Sequence, residues 1–496
     1  MSAGCAALVA VALFGATTTP TAALAAVLAG ITRPTLATVP LPTTVESPLL
    51  LDWKPCEASL VAVQCAPLSV PLDYDHPSGT LITVTLARRV AHGPKRRVGA
   101  LFVNPGGPGA SAIDLVRDLP LPDALTQVFD IVGVEPRGTE RATPVRCEGS
   151  ALKGTTISAV TAASYAHSCD RLSGRLLAFI DSDAMAGDVD AARAALGEPT
   201  ISMLTYSYGS RLAMAYRRRF SGRLRALVMD GPVDPEQPAL AGHIAALETT
   251  LAAFLHDCDR AGIAGAATAR GGPGCVMARR GAQPTLEAAE ARFARGPLPA
   301  AGVGHTPIDR ATFETAMVTL LADGNFRSLA EVIDDTASGS TTWLTSAAAV
   351  LGVDAGSFRP PGNADVGAFE AYLCRDPQRP DKSPPPSRHF GAYSARRYGA
   401  QRCRAWPVPH LPMIDATLAR RTLTAGTGVA TVIVATTYDV RSSLRWAEAL
   451  ATDLGAPLIR FNAAGHAIVG QGNACIDGRI TAFLITPLTP LLSGDC

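Results

Sequence analysis

The sequence has little charge, few aromatic residues and almost no lysine. Of its 496 residues, 18% are charged and 5% aromatic, and 44 Lys and Arg balance 43 Asp and Glu. This balance disfavours a nucleic-acid-binding surface, a coiled coil and a disordered chain, since each needs a compositional bias that is absent here. Lysine occurs at only four positions, so the basic side chains are mainly arginine. The length and the 47% hydrophobic content suit an enzyme with a substantial core.

Motifs for bound nucleotides and metals are also missing. The sequence contains no G-x-G-x-x-G, no P-loop, no H-E-x-x-H and no C-x-x-C pair. These patterns are typical of dinucleotide, phosphate and zinc sites. We therefore expect neither a metal nor an organic cofactor, and no nucleic-acid partner.

The first segment has features of an export signal. No charged residue precedes Arg33, and Ala3–Ala16 is an unbroken run of apolar and small residues. The run has the length of a signal-peptide core and is too short to span a bilayer, which needs about 20 residues. Ala23-Leu24-Ala25 fits a signal peptidase site, so we predict a signal peptide at 1–25 and a linker at 26–50. A basic start is missing, and a disordered alanine-rich tail is the alternative.

Removal of the signal would take Cys5 away and leave ten cysteines, an even number. In consecutive pairs they stand 9, 22, 17, 29 and 21 residues apart. Five local disulfides in an exported protein are the economical interpretation, because disulfide use follows the cellular compartment. Ten buried thiols in a cytosolic enzyme are the alternative, and the pairing stays open. The ten are Cys56, Cys65, Cys147, Cys169, Cys258, Cys275, Cys374, Cys403, Cys475 and Cys496.

Short apolar runs bounded by glycine predict buried parallel strands. Helical patterns at Asp188–Leu196 and Ser443–Leu454 lie between such runs, and each is followed by a glycine. A stretch of period two, Thr80–Val90, predicts a hairpin strand. The alternation predicts an α/β fold with a mostly parallel sheet flanked by helices. The apolar runs are Ala100–Val103, Phe129–Val134, Ile201–Tyr206, Leu224–Met229, Thr431–Ala435 and Pro457–Phe461.

The alternation of strands and helices breaks after the fourth of these runs and resumes only at the fifth. The stretch between them is mixed in pattern and contains a Pro-Pro-Pro sequence and several glycine pairs. We predict that residues 234–424 form a large, mainly helical lid insertion. The α/β core then consists of residues 51–233 and 425–496.

Ser207 lies where an apolar run turns into a helical segment, which is the context of a nucleophile elbow. Thr205 occupies the place of the first glycine in the usual G-x-S-x-G pattern, and an ordinary turn serine is the alternative. Asp439 and His466 follow the last two predicted strands, in the order serine, acid, histidine that α/β-hydrolases use. Together the three residues predict a catalytic triad.

The loop after the first apolar run is rich in glycine and proline. A tetrahedral intermediate requires backbone N–H donors for its oxyanion, and glycines let the backbone come close to the substrate. We assign one donor to Gly107 and the other to Tyr208, the residue after the nucleophile. A Gly/Pro-rich loop without a catalytic role is the alternative.

Several sequence blocks together resemble exported actinobacterial α/β-hydrolases of the tripeptidyl aminopeptidase group, in peptidase family S33. These are relatives of the proline iminopeptidases and include cell-envelope members once described as carboxylesterases. The blocks are LFVNPGGPGAS (Leu101–Ser111), FDIVGVEPRG (Phe129–Gly138), TYSYGSR (Thr205–Arg211), MDGPVDP (Met229–Pro235), TTYD (Thr436–Asp439) and GHAIVGQGNACI (Gly465–Ile476).

The resemblance implies an α/β-hydrolase fold with Ser207, Asp439 and His466 as its triad. It also implies structural bridges from Cys374 to Cys403 and from Cys475 to Cys496. Three positions depart from the family: Thr205, Glu135 in place of Asp, and Ala112 in place of Gly. None of them removes a catalytic group, but they leave rate and substrate choice open.

The resemblance implies an exported serine peptidase, an aminopeptidase that releases short N-terminal peptides through an acyl-enzyme. Asp376 and Glu370 are candidates for the carboxylate that would bind a substrate's α-ammonium. We interpret Glu135 and Arg137 as a structural ion pair. The alternatives are a secreted carboxylesterase and a catalytically inactive envelope binding protein. We expect a monomer acting on a peptide or protein substrate, and association with the cell envelope stays open.

Overall fold

A computed structural model gives the fold of most of the chain after residue 50. The predicted signal at 1–25 and the predicted linker at 26–50 lie outside the described residues. The structure describes residues 51–56, 63–94, 96–148, 159–234, 239–264, 275–302, 307–350, 365–377, 382–399, 402–412, 428–489 and 491–496.

One ten-stranded sheet runs through the described chain. Its strands are β1 (Lys54–Pro55), β2 (Gln64–Pro71), β3 (Leu81–Arg89), β4 (Gly99–Asn104), β5 (Phe129–Val134), β6 (Ile201–Tyr206), β7 (Leu224–Asp230), β8 (Ala430–Tyr438), β9 (Leu458–Ala464) and β10 (Gly494–Asp495). Their order is β1-β2-β3-β5-β4-β6-β7-β8-β9-β10. Pairing is antiparallel from β1 to β5 along this order and parallel from β5 to β10. The predicted mostly parallel sheet is confirmed.

The buried strands form where the sequence is continuously apolar. The predicted ranges of β5 and β6 agree with the structure residue for residue. In contrast, β8 and β9 each continue three residues beyond the predicted run. These extensions bring the chain to Asp439 and Gly465, at the carboxyl edge of the sheet.

The described residues form both the helices that flank the sheet on its two faces and those of the insertion. They are α1 (Ala112–Asp118), α2 (Asp123–Thr126), α3 (Ala159–Ser173), α4 (Ser182–Ala195), α5 (Gly209–Phe220), α6 (Ala239–Ala264), α7 (Ala282–Ala291), α8 (Arg310–Ala322), α9 (Phe326–Ser338), α10 (Thr342–Val350), α11 (Val366–Arg375), α12 (Gly391–Gly399), α13 (Leu444–Leu454) and α14 (Ala474–Ile485). Consecutive strand residues point to opposite faces, so Phe102 packs with α4 and α5 while Leu101 packs with α1 and α14.

Helices α6 to α12 lie between β7 and β8 in the chain, where the sequence predicts an insertion. All of them except α11 pack around an apolar cluster of their own, which includes Leu247, Leu286 and Phe313. Helix α11 packs instead in the apolar core of the sheet, through residues such as Tyr372. The predicted domain boundaries at residues 234 and 424 stay predictions. Among the described residues, no helix combines the length and apolarity that crossing a membrane requires.

Five disulfides join the ten cysteines in consecutive pairs, in agreement with the economical interpretation of their spacing. Two of them are the bridges that the family resemblance implies. The pairs are Cys56–Cys65, Cys147–Cys169, Cys258–Cys275, Cys374–Cys403 and Cys475–Cys496.

The predicted ion pair between Glu135 and Arg137 is wrong. Arg137 is fully buried, and its Nε and Nη2 donate to the two carboxylate oxygens of Asp188 on α4, at 2.7 and 2.6 Å. Glu135 instead accepts from the Ser111 hydroxyl at 3.0 Å and from the Ile113 amide at 3.1 Å. Arg137 lies in the turn that follows β5, not in an extended strand, and from there its side chain reaches a partner 51 residues away.

Candidate active site

Ser207 lies in a sharp turn between β6 and α5. Its φ of 53° is in the left-handed region, which side chains other than glycine seldom adopt. The Ser207 amide donates to the main-chain oxygen of Asp230 at 2.9 Å, which fixes the turn to the neighbouring strand β7. Gly209 follows because a Cβ there would lie 2.5 Å from Oδ1 of Asn104. The turn therefore holds the Ser207 side chain, which is half-buried, at the carboxyl edge of the sheet.

Thr205 occupies the place of the first glycine without opening the turn. Its side chain is completely buried in the sheet, and its hydroxyl lies 3.5 Å from the main-chain oxygen of Val228 on β7. The space that a glycine would leave is thus filled by a side chain with a polar partner.

Asp439 and His466 are brought together from the ends of β8 and β9. Oδ2 of Asp439 accepts a hydrogen bond from Nδ1 of His466 at 2.7 Å. The same carboxylate accepts from the Ser442 hydroxyl at 2.8 Å and from the amides of Arg441 and Ser442 at 2.8 and 2.9 Å. A carboxylate only accepts, so Nδ1 of His466 carries the hydrogen and Nε2 keeps a lone pair. The imidazole therefore has the tautomer that a general base requires.

Asp230, at the end of β7, connects the nucleophile turn with the histidine loop, and the sequence patterns do not predict a role for it. Its main-chain oxygen accepts from Ser207, as noted above, while its Oδ2 accepts from the amides of Ile468 and Val469 at 2.6 and 2.7 Å. Burial raises the pKa of Asp230 to about 7, although the two amides oppose this shift. An acidic residue that ends an otherwise apolar strand is the sequence signal that could have identified it.

Among the hydrogen bonds of the described residues, none joins the Ser207 hydroxyl to His466. Such bonds are often long in free enzymes and tighten when substrate binds. The backbones of Ser207 and His466 are nevertheless fixed to one another, because Asp230 accepts hydrogen bonds from the Ser207 amide and from the loop that follows His466.

The glycine-rich loop after β4 packs directly against the nucleophile turn. Gly106 donates its amide to Oδ1 of Asn104 at 2.9 Å, and a Cβ at Gly106 would lie 2.9 Å from the Tyr208 nitrogen. Gly107 has a φ of 103°. In the described part of the chain, neither the Gly107 amide nor the Tyr208 amide donates to a protein acceptor. Two neighbouring segments thus present free N–H groups, as an oxyanion hole requires.

Comparison of the sequence with known proteins shows the family to which this site belongs. Residues 99–260 match a family model described as alpha/beta hydrolase fold, and residues 387–496 match one described as TAP-like protein. Carboxylesterase B of Mycobacterium tuberculosis is 30% identical over 505 residues, which cover 90% of this chain and 89% of that protein. The chain belongs to the TAP-like α/β-hydrolases. It is a serine hydrolase.

Two further relatives of this TAP-like hydrolase have names that describe peptidases. The chain is 28% identical to the serine protease Hip1 of Mycobacterium tuberculosis, over 90% of this chain and 91% of that protein. It is 31% identical to the tripeptidyl aminopeptidase of Streptomyces coelicolor over 209 residues, which cover 38% of this chain and 39% of that protein. The first match extends over nearly the whole chain and the second over a part of it.

The two carboxylates that the sequence suggests for substrate binding are both buried in the TAP-like hydrolase. Asp376 directly follows α11, and its Oδ1 accepts from the Ser182 amide at 2.7 Å. Its Oδ2 accepts from the hydroxyls of Ser182 and Tyr208, at 2.6 and 2.8 Å. Burial raises the pKa of Asp376. Both oxygens therefore already have protein donors, which favours a bracing role, and the binding of an α-ammonium by Asp376 stays a prediction. Glu370, on α11, is buried, and its role in substrate binding stays a prediction.

Proposed function

We propose that the enzyme hydrolyses peptide bonds with Ser207 as nucleophile, His466 as general base and Asp439 as the group that orients the imidazole. The observation that carries this proposal is the 2.7 Å hydrogen bond from His466 to Asp439. It lies at the same sheet edge as the strained Ser207 turn. Carboxylate, imidazole and serine in this chain order are the arrangement that α/β-hydrolases use for acyl transfer.

In the acylation step the Ser207 oxygen bonds to the scissile carbonyl carbon, and its proton passes to Nε2 of His466. The carbonyl oxygen becomes an oxyanion, and the amides of Gly107 and Tyr208 donate hydrogen bonds to it. His466 then gives its proton to the leaving nitrogen, the C–N bond breaks, and the acyl group remains on Ser207. Asp439 stays ionised and stabilises the transient imidazolium.

In the second step water replaces the serine. His466 takes a proton from the water as its oxygen bonds to the acyl carbon, and the bond to Ser207 breaks. The proton on His466 returns to the Ser207 oxygen, and the product leaves as a carboxylic acid. No group beyond these side chains and amides is required.

The relatives' names support a peptide substrate, and the name of the aminopeptidase supports a free N-terminus on it. Serine protease Hip1 and the tripeptidyl aminopeptidase are both named for the cleavage of peptide bonds. Helix α11 of the insertion packs on the oxyanion loop, where a Cβ at Gly109 would lie 3.0 Å from that of Ala368. We propose that the insertion limits access to short or unfolded chains, and that the products are short N-terminal peptides.

Export from the cytosol is supported by the five disulfides, because such bonds persist in oxidising compartments. Together with the predicted signal at 1–25, they favour a secreted or envelope enzyme. The monomeric state stays a prediction, which size-exclusion chromatography with light scattering would check.

A secreted carboxylesterase is the second candidate, and the name of the relative with 30% identity favours it. The same triad hydrolyses both kinds of bond. We propose assaying free and N-terminally blocked peptides beside p-nitrophenyl esters, with mass spectrometry of the products. An aminopeptidase should release short fragments from free peptides alone. Turnover of esters without any turnover of peptides would overturn the peptidase proposal.

The nucleophile is tested by labelling with a fluorophosphonate, which reacts with activated serines. We expect the wild type to be labelled and Ser207→Ala to be neither labelled nor active. Ser210→Ala is the matched control, because it removes a buried serine hydroxyl three residues away that accepts from the Val233 amide at 3.1 Å. Labelling that persists in Ser207→Ala would refute the assignment.

A further inference from the structure

Helix α11 of the insertion contacts both segments of the proposed oxyanion hole, one at each of its ends. At its start, the Asp365 amide donates to the main-chain oxygen of Gly109 at 3.1 Å, and Ala368 packs on Gly109. At its end, Asp376 accepts from the Tyr208 hydroxyl at 2.8 Å. Ten helical residues span about 15 Å, so a single rigid element reaches from the glycine-rich loop to the nucleophile turn.

Tyr208 has two separate groups in this arrangement. Its main-chain N–H is the proposed oxyanion donor, and its side-chain hydroxyl is hydrogen-bonded to Asp376. The guanidinium of Arg211 lies 5.1 Å from the centre of the Tyr208 ring and donates to the main-chain oxygen of Pro377, directly after Asp376. The side chain of Tyr208 is therefore held by the residues that end α11.

The end of α11 is in turn fixed to the protein core. The amide and hydroxyl of Ser182, the first residue of α4, donate to Asp376. Cys374 forms the disulfide with Cys403, and Arg375 donates from Nε to the main-chain oxygen of Ala178 at 3.0 Å. Asp376 thus connects Tyr208 to the fixed end of α11.

We propose that α11 braces the oxyanion hole and that Asp376 is a positioning residue, which acts through the Tyr208 hydroxyl to set the direction of the Tyr208 N–H. This inference rests on the oxyanion hole of the proposed function. Oxyanion donors act by being fixed before the charge develops. Loosening one of them should slow the chemical step and leave ground-state binding almost unchanged.

Tyr208→Phe is the first test, because it removes the hydroxyl and keeps both the ring and the main-chain N–H. Loss of a whole oxyanion donor lowers kcat about 100- to 1000-fold, so a misaligned donor should lower it roughly 10-fold. We expect KM to change less than about twofold. The affinity for a peptidyl trifluoromethyl ketone, which forms an oxyanion on the enzyme, should fall by the same factor as kcat.

Tyr216→Phe is the matched control. Tyr216 lies on α5, the helix that follows the nucleophile, and its buried hydroxyl donates to Oδ1 of Asp190 at 3.2 Å. Both substitutions remove one buried tyrosine–aspartate hydrogen bond, so a purely structural role would affect both variants alike. If Asp376 positions Tyr208 as proposed, kcat falls in Tyr208→Phe and stays within about twofold of the wild type in Tyr216→Phe. Equal kcat values in the two variants would overturn it.

Asp376→Asn gives an independent measurement through a double-mutant cycle. If Asp376 acts through the Tyr208 hydroxyl, the loss of kcat in the double variant should be smaller than the product of the two single losses. A loss of kcat in the double variant that equals the product of the two single losses would contradict the proposal. If Asp376→Asn does not fold, the comparison between Tyr208→Phe and Tyr216→Phe still decides.

Failure of the brace is distinguishable from failure of the proposed function. An active Ser207→Ala enzyme would refute the triad itself. An inactive Ser207→Ala enzyme, together with full kcat in Tyr208→Phe, would leave the triad in place and refute only the brace.

Discussion

Gly231 lies immediately beneath the proposed triad, and Gly231→Ala tests whether the triad packs as described. Gly231 has a φ of 59°. A Cβ at this position would lie 3.0 Å from the Ser442 hydroxyl oxygen and 3.3 Å from both Oδ2 of Asp439 and Cε1 of His466. The added methyl group would therefore contact the acid, its hydroxyl donor and the base at the same time.

Two effects should follow from Gly231→Ala. The left-handed backbone conformation costs an alanine roughly 1–2 kcal/mol of folding free energy. Unstrained contacts of a carbon atom are about 3.5–4.0 Å, so Asp439 and His466 must each move by a few tenths of an ångström. A misplacement of 1 Å can lower the rate about 100-fold, and we expect this smaller shift to lower kcat roughly 10-fold.

Gly455→Ala separates the two effects. Gly455 ends α13 with a φ of 58°, nearly that of Gly231, and a Cβ there would have no atom within 4 Å. The two variants should lose similar free energies of unfolding in urea titrations, but only Gly231→Ala should lose kcat in a chromogenic peptide assay. If Gly231→Ala keeps as much kcat as Gly455→Ala, then the side chains of the triad do not pack against Gly231.

Three further predictions concern carboxylates. Asp439→Asn should lower kcat about 10⁴-fold by favouring the wrong imidazole tautomer; a loss below tenfold in steady-state kinetics would refute its role. Burial raises the pKa of Asp230 to about 7 from an unfolded value near 4, so the native state alone is protonated between these pH values. The wild-type free energy of unfolding should therefore fall by up to about 4 kcal/mol as pH rises from 4 to 7. Denaturant titrations at several pH values should show a smaller fall for Asp230→Asn. An equal fall in the two proteins would contradict the prediction. Asp188→Ala leaves the buried charge of Arg137 unpaired and should lower the free energy of unfolding by about 3–5 kcal/mol; a loss below 1 kcal/mol would be inconsistent with the pairing.

The sequence predicts well what depends on neighbouring residues. The strands β5 and β6 are continuous apolar runs, and their ends coincide with the predicted ones. Asp439 and His466 could be located because parallel strands end at one edge of the sheet, where residues far apart in the chain meet. Local pattern and topology together were sufficient for the fold and for the candidate triad.

Partners of buried charges could not be predicted in the same way. Arg137 pairs with Asp188 on α4 and not with the carboxylate two residues away. Asp376 holds Tyr208, which is 168 residues distant in the chain. Such contacts depend on how helices pack against one another, and a local pattern carries no information on that packing.

The connection between β7 and β8 has a consequence for engineering. The two strands are parallel neighbours, with Asp230 beside Val434, and a dozen or so residues would be enough for a crossover of this kind. The insertion can thus be exchanged for that of a relative without changing the register of the sheet. Helix α11 belongs to the insertion, and its ends contact Gly109 and Tyr208. A chimaera with a new insertion must therefore keep both of these contacts if it is to gain the specificity of the relative.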